Sequence, residues 1–557
     1  MTSPRFDTYY RYTELTQLLQ AYAHDYPELV QIESLGKSHE GRDIWLATVT
    51  RQSKGNAGDK PALWVDGNIH SAELVGSMAC LYLLDYLVTN DGQNPEVSRC
   101  LDTRTFYICP RLNPDGAEWA LADTPKIVRS STRPWPWRDP LPNGLLPEDI
   151  DGDGRILSMR IPDPDGHWKI AEDDPRLMVA REPTETGGDY YRLLPEGMVE
   201  DYDGMTIDLP PKREGLDLNR NFPCQWRPES EQKGAGPFPA SEPETNAAVR
   251  FLHAHPNICG GIAFHSYSGV LLRPFSHRPD EEMIPEDLRV FESLAARGSE
   301  LTGYPSVSAY HGFRYHPREI ITGALDDYLY QELGRFSWTV EIWSPQREAG
   351  IGNIDLIDWY RTHGIEDDRK LLSWNESELK GKGFVDWYPF DHPQLGKIEL
   401  GGWDPLYSFW NPPPHKLEAE LQRFPAWLIW HNLIGPELAI GRVKVTAVDK
   451  QIWKVEVLIH NRGWLPTYLS KQAQEKKTSR GVIVRLALPD GAELIEGQRE
   501  QELDQLEGRC HKPNSPFGWS GQVSDPTDDR VKVSWVMKAD DNTHLSLEIR
   551  HDHAGRI

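Results

Sequence analysis

The chain carries only six cysteines in 557 residues, and no two of them form a CxxC pair. Cys80, Cys100, Cys109, Cys224, Cys259 and Cys510 are scattered, several inside apolar runs. Neither a disulfide framework nor a zinc–thiolate site is expected from such spacing. No stretch of 18 or more apolar residues occurs, so no membrane-spanning helix is expected. Positive charge is in short supply: 60 Lys and Arg stand against 85 Asp and Glu, a formal charge of −25. That balance argues against nucleic acid or an anionic membrane as partner, because both need a basic face. The opening MTSPRFDTYYRYTELTQLL lacks a basic n-region and an apolar h-region, so a cytoplasmic location is expected. Internal repeats and low-complexity tails are also missing.

What is present is an ordinary globular composition, 38% hydrophobic and 26% charged, long enough for two or three structural units. Residues 10–32 read as an amphipathic helix, with Leu15, Leu18, Leu19 and Tyr22 at helical spacing. IWLATV and ALWVDGNIH read as buried strands, AELVGSMACLYLLDYLVT as a long apolar helix, and TFYICPRLNPDG as a strand running into a turn. The alternation resumes with SEPETNAAVRFLHAH, ICGGIAFHSYS, a helix near 284–302 and FSWTVEIW. This is the pattern of an α/β fold: a mixed, largely parallel twisted sheet with helices on both faces. Residues 117–215 interrupt it with a Pro-, Gly-, Asp- and Trp-rich stretch that reads as a loop-dominated insertion. From about 438 the texture changes to period-two alternation (GRVKVTAV, WKVEVLIHN, GVIVRLAL, VKVSWVMK, LSLEIRHD), which predicts an all-β, sandwich-like unit over 438–557.

The pattern H-x-x-E, a possible pair of metal ligands, occurs four times: His70/Glu73, His316/Glu319, His363/Glu366 and His415/Glu418. Context selects the first. His70 follows an apolar strand and precedes a helix, at the carboxyl edge where open α/β sheets bind ligands. Imidazole and carboxylate held there suit zinc, and a catalytic zinc needs a third protein ligand and one open position. His265, also at a strand end, is the candidate.

GNIHSAE, PRLNPDG, GLDLNRNF, the strand-end HSYS and the strand carrying VEIW occur in that order. Together they resemble the zinc carboxypeptidases of the carboxypeptidase A/B type, over roughly residues 7–345 apart from the insertion. The resemblance implies one catalytic zinc held by His70, Glu73 and His265, and Glu341 as the general base that moves a proton from the attacking water to the leaving amine. It implies that Asn219 and Arg220 hold the terminal carboxylate of a peptide substrate; a guanidinium fork suits a carboxylate through two parallel hydrogen bonds. Tyr267 joins them in substrate binding. Of Arg129 and Arg133, Arg129 is favoured to polarise the scissile carbonyl, by its distance from the NPDG turn, and Arg133 is kept with the substrate-binding set. A peptide with a free C-terminal carboxylate is the expected partner, and the oligomeric state stays open.

One departure and one finer likeness accompany the resemblance. Where the family carries a mobile tyrosine this chain has Glu319, with Tyr315 one helical turn earlier. Asp326, in Leu-Asp-Asp-Tyr, resembles the specificity position of the basic-specific branch and would favour a C-terminal Lys or Arg. Asp149, Asp151 and Asp153 have the oxygen-ligand spacing of a calcium loop, although Arg160 stands where the usual Glu would be. Competing readings are a zinc amidohydrolase acting on peptidoglycan-type or N-acyl amino acid substrates, and an inactive binding module on the same fold.

Overall fold

The computed structural model describes residues 4–557 except 137–142, 317, 353, 356, 514 and 518–522. Eight strands form the central sheet: β1 (Val30–Lys37), β2 (Asp43–Val49), β3 (Ala62–Gly67), β4 (Thr105–Cys109), β5 (Ile258–Ser266), β6 (Val270–Arg273), β7 (Ser306–Ser308) and β8 (Phe336–Ile342). Their order is β1-β2-β4-β3-β5-β8-β6-β7. The middle four, β4-β3-β5-β8, run parallel, while β1, β2 and the β8–β6 pair are antiparallel. Alternate residues of β3 serve opposite faces, as a strand requires. Leu63 and Val65 pack with Ile262, Phe264 and Val340 on one side; Ala62 and Trp64 pack with Ala263 and Phe251 on the other.

The helix Leu74–Thr89 is buried on nearly every side, the condition under which a helix can be apolar all round. Gly67 and Gly76 make its approach possible: a Cβ on Gly67 would lie 2.4 Å from the Gly76 carbonyl oxygen. The first helix is shorter than its sequence pattern, Tyr12–Asp25. Pro27 stands just beyond it, and Val30 already belongs to β1, so the apolar residues after Asp25 serve the sheet and not the helix.

The insertion is mostly loop, as its composition predicts, but it is not without regular structure. It holds six short strands between Leu145 and Val199. Four of them join Phe384–His392 and Gly396–Trp403 in an antiparallel six-stranded sheet, with Leu400 paired to Met159. Met159, Ile398 and Leu400 form its core. The strands were hidden because their partners lie far along the chain; Arg160 donates to Glu399, 239 residues away.

The C-terminal region forms two four-stranded sheets closed around Val457, Ile459, Val484, Trp535 and Ile549. It is not merely tethered. Leu465 and Leu469 belong to the main apolar core, Ser470 donates to the Gly334 carbonyl at 2.7 Å, and Asp287 accepts from the backbone of Lys471 and Gln472 at 2.7 and 2.9 Å. Among the described residues no helix is long and apolar enough to cross a bilayer.

Candidate active site

The site is assembled at the carboxyl ends of β3, β5 and β8. Beyond β3 the chain turns sharply at Asn68, whose φ is +58°. The Asn68 side chain holds this turn by donating to the carbonyls of His70 and Ser71. Asn113 of the NPDG turn caps the helix Pro114–Ala120 and donates to the carbonyls of Ile69 and Ser130 at 3.1 and 2.8 Å. That explains why GNIHSAE and PRLNPDG occur together: one turn braces the other.

His70, Glu73 and His265 are all buried, and one ligand atom from each lies within 4.8 Å of the others. His70 Nε2 lies 3.1 Å from Asp217 Oδ1; in the tautomer that carries its proton there, Nδ1 keeps a lone pair. That lone pair faces Glu73 Oε1 at 2.8 Å and His265 Nδ1 at 3.1 Å, and His265 Nδ1 lies 3.0 Å from Glu73 Oε2. Lone pairs converging in a buried space repel unless a cation lies between them, so the donor set fits a metal. Two imidazoles and a carboxylate are the ligand types of a catalytic zinc. Asp217 supplies the carboxylate–histidine support that orients such a ligand.

Asp217 is the residue that sequence reasoning passes over, although it stands two places before Asn219 in the same GLDLNRNF stretch. It also accepts from Arg129 Nε at 2.9 Å and from the Asn219 backbone at 2.9 Å. Burial opposes its ionisation, but Arg129, Arg220 and His70 hold its carboxyl well below the usual range.

One cavity is lined by His70, Arg129, Asn219, Arg220, His265, Asp326 and Glu341. Asn219 Oδ1 accepts from the Leu325 backbone, which ties the 323–327 turn to it. Gly323 is required there: its φ is +71°, and a Cβ would lie 2.2 Å from the Arg220 carbonyl oxygen. Glu341 is buried; that burial and the nearby Glu73 charge push its carboxyl well above the usual range, against the pull of Arg129. Asp326 is pushed up to about 7 by burial and by Asp327 beside it.

Tyr267 packs edge-on against Tyr360 at 5.6 Å and lies close enough to Glu341 to feel its charge. Tyr315 lines the cavity, whereas Glu319 is not among its lining residues. Arg133 departs from its expected place among the substrate-binding residues. Its fork is engaged by Glu242, at 2.8 and 2.6 Å, and it does not line the cavity. Asp149, Asp151 and Asp153 do converge, but their oxygens cap their own loop. Asp149 accepts from Gly152 and Gly154, Asp151 from Asp153, and Asp153 from the Arg155 backbone and guanidinium.

A family model described as zinc carboxypeptidase matches residues 15–139 and 155–354, more than half of the chain. The chain therefore belongs to the zinc carboxypeptidase family and is a zinc metallocarboxypeptidase. It is similar to carboxypeptidase B of Astacus astacus, with 25% identity over 345 residues, covering 60% of this chain and 86% of that protein. It is 22% identical to carboxypeptidase A6 of Mus musculus over 280 residues, 49% of this chain and only 46% of that protein. Among solved structures, the carboxypeptidase A of Helicoverpa armigera aligns with a TM-score of 0.41 and 17% identity, over 67% of this chain and 75% of that one. Residues 437–557 match a second model, described as a domain of unknown function.

Proposed function

We propose that this protein releases a basic residue, arginine or lysine, from the C-terminus of peptides. The observation that carries this reading is Asp326, a buried carboxylate in the same cavity as Asn219, Arg220, His265 and Glu341. A substrate whose terminal carboxylate lies on Arg220 and Asn219 directs its last side chain into that cavity. There, an ammonium or guanidinium meets Asp326 in a low dielectric.

Zinc held by His70, Glu73 and His265 would supply Lewis-acid polarisation of the scissile carbonyl and acidify a water. The remaining work falls to the chain. Arg220 and Asn219 fix the terminal carboxylate, so the scissile bond is always the last one. Arg129 turns a guanidinium towards the carbonyl oxygen and stabilises the charge that develops there. Glu341 takes a proton from the attacking water and returns it to the leaving amine nitrogen. A carboxyl raised by burial is matched to moving protons near neutral pH.

The test is release of the last residue from N-blocked dipeptides ending in Arg, Lys, Phe or Glu, beside their C-terminal amides. The reading requires release only with a free carboxylate, loss with a chelator, and Arg and Lys ahead of Phe. Equal rates for Arg and Phe would remove the basic preference.

A further inference from the structure

A second cavity, of about 340 Å³, also borders the metal-ligand cluster. It is lined by His70, Glu73 and Arg129 together with Ile127, Lys212 and Trp410. His70 and Arg129 line both cavities, so the two meet where the scissile carbonyl must lie. The first cavity contains Arg220, Asn219 and Asp326 and takes the leaving residue. The second must then take what precedes the scissile bond, the acyl side of the substrate.

Its charge is distinctive. Apart from Glu73, whose carboxylate belongs to the metal cluster, the charged groups lining it are Arg129 and Lys212. In a chain with 85 acidic and 60 basic residues, a pocket whose charges beyond the metal cluster are both positive runs against the overall field; Arg129 is already paired with Asp217, which leaves Lys212 as the charge that can meet a substrate. Lys212 comes from the end of the insertion and is exposed. Its ammonium is placed by a hydrogen bond to the Ile127 carbonyl at 3.0 Å, on the segment that leads to Arg129. Trp410 comes from the turn Leu406–Trp410. Its neighbour Phe409 packs against Tyr267 at 6.3 Å, which fixes the position of that turn relative to the site.

Resting on the carboxypeptidase reading above, we infer that this cavity is an acyl-side specificity pocket for an acidic residue, with Lys212 as the selecting charge and Trp410 as the apolar wall. The preferred peptide therefore ends in an acidic residue followed by the residue released. The insertion and the 404–411 segment contribute directly to substrate choice.

The test uses the zinc-loaded full chain and N-acetyl-Xaa-Arg peptides with Xaa = Glu, Ala or Lys, read as kcat/KM. The expected order is Glu, Ala, Lys, with about fivefold between Glu and Ala at low salt, the scale of a partly solvated ion pair. The ratio should shrink as ionic strength rises. Lys212→Ala should bring the Glu:Ala ratio close to one, and Lys212→Glu should invert the Glu:Lys order. Wild-type protein that hydrolyses all three at one rate, or a Lys212→Ala variant that keeps the Glu preference, would overturn the inference. Absence of arginine release from every peptide would instead overturn the carboxypeptidase reading on which it rests.

Discussion

His265 and Glu341 are register partners on two adjacent parallel strands, β5 and β8. The proposed metal ligand and the proposed proton carrier are thus held side by side by backbone hydrogen bonds, each on a strand buried along its whole length. Parallel pairing fixes their relative height, and side chains at paired positions share a face of the sheet. The division of roles follows. Removing the Glu341 carboxylate while keeping its shape should leave zinc binding intact. Glu341→Gln is expected to lower kcat by about 10²–10⁴-fold, with an unchanged zinc content by metal analysis. Loss of zinc together with activity would mean that Glu341 is a ligand and not the proton carrier.

Asp217 should control the metal without touching it. Asp217→Asn keeps the size but weakens the hold on His70 Nε2 and releases Arg129. Zinc affinity is expected to fall by about 10–100-fold, the usual effect of removing a carboxylate behind a ligating histidine. Competition with a fluorescent chelator measures it. An unchanged affinity would show that the Asp217–His70 contact has no part in ligand orientation.

The titration of Asp326 near neutral pH should set the pH dependence of selectivity. With its carboxyl pushed up to about 7, the group is neutral below that value and anionic above it. KM for a peptide ending in Arg should therefore fall as pH rises through about 7, while KM for a peptide ending in Phe should not. Asp326→Asn should flatten the first profile onto the second. Parallel profiles in the wild-type enzyme would place the charge-reading group elsewhere.

Acid stability should depend on His431. It is buried, accepts from Trp338 Nε1 at 3.2 Å, and is pushed down from 6.5 to about 4 by burial. A depressed histidine stabilises the fold in its neutral form. Its contribution is complete above pH 6.5 and is lost as pH falls towards about 4. Linkage puts that loss at ~3 kcal/mol by pH 4. His431→Gln keeps an acceptor for Trp338, so the unfolding free energy of this variant should slope less steeply between pH 6.5 and 4 in urea titrations. Identical slopes would exclude the histidine as the source.

The C-terminal sandwich should be required for a stable main domain. Deleting residues 438–557 strips Leu465 and Leu469 from the core, each worth about 1.5–3 kcal/mol of burial. It also leaves Asp287 without two backbone donors. The truncated chain is expected to be insoluble or to melt well below the full chain in a thermal scan. A truncated protein that was soluble and equally stable would show that these contacts are dispensable.

Much of the site was legible in the sequence because its ligands sit at the ends of strongly apolar strands. ALWVDGNIH, ICGGIAFHSYS and FSWTVEIW each announce a buried strand, and each delivers a candidate site residue to one sheet edge. Arg129 was separable from Arg133 only by its spacing from the NPDG turn; the structure adds the reason, a buried Glu242 that engages Arg133. Asp217 was overlooked because a carboxylate before Asn-Arg has no distinguishing local pattern. Its role exists only once β3 and the 217–220 turn meet.

The sequence by itself determined five strands of the central sheet, the order of the motifs and the ligand types, since hydrophobic periodicity and residue chemistry are local properties. Only the tertiary structure decided where the insertion's strands find partners, that Lys212 and Trp410 share a cavity, and that the sandwich donates two leucines to the main core. Those relations join residues about two hundred positions apart or more, 239 for Arg160 and Glu399. Contacts at that separation are set by packing and strand pairing, which leave no periodic trace in either segment alone.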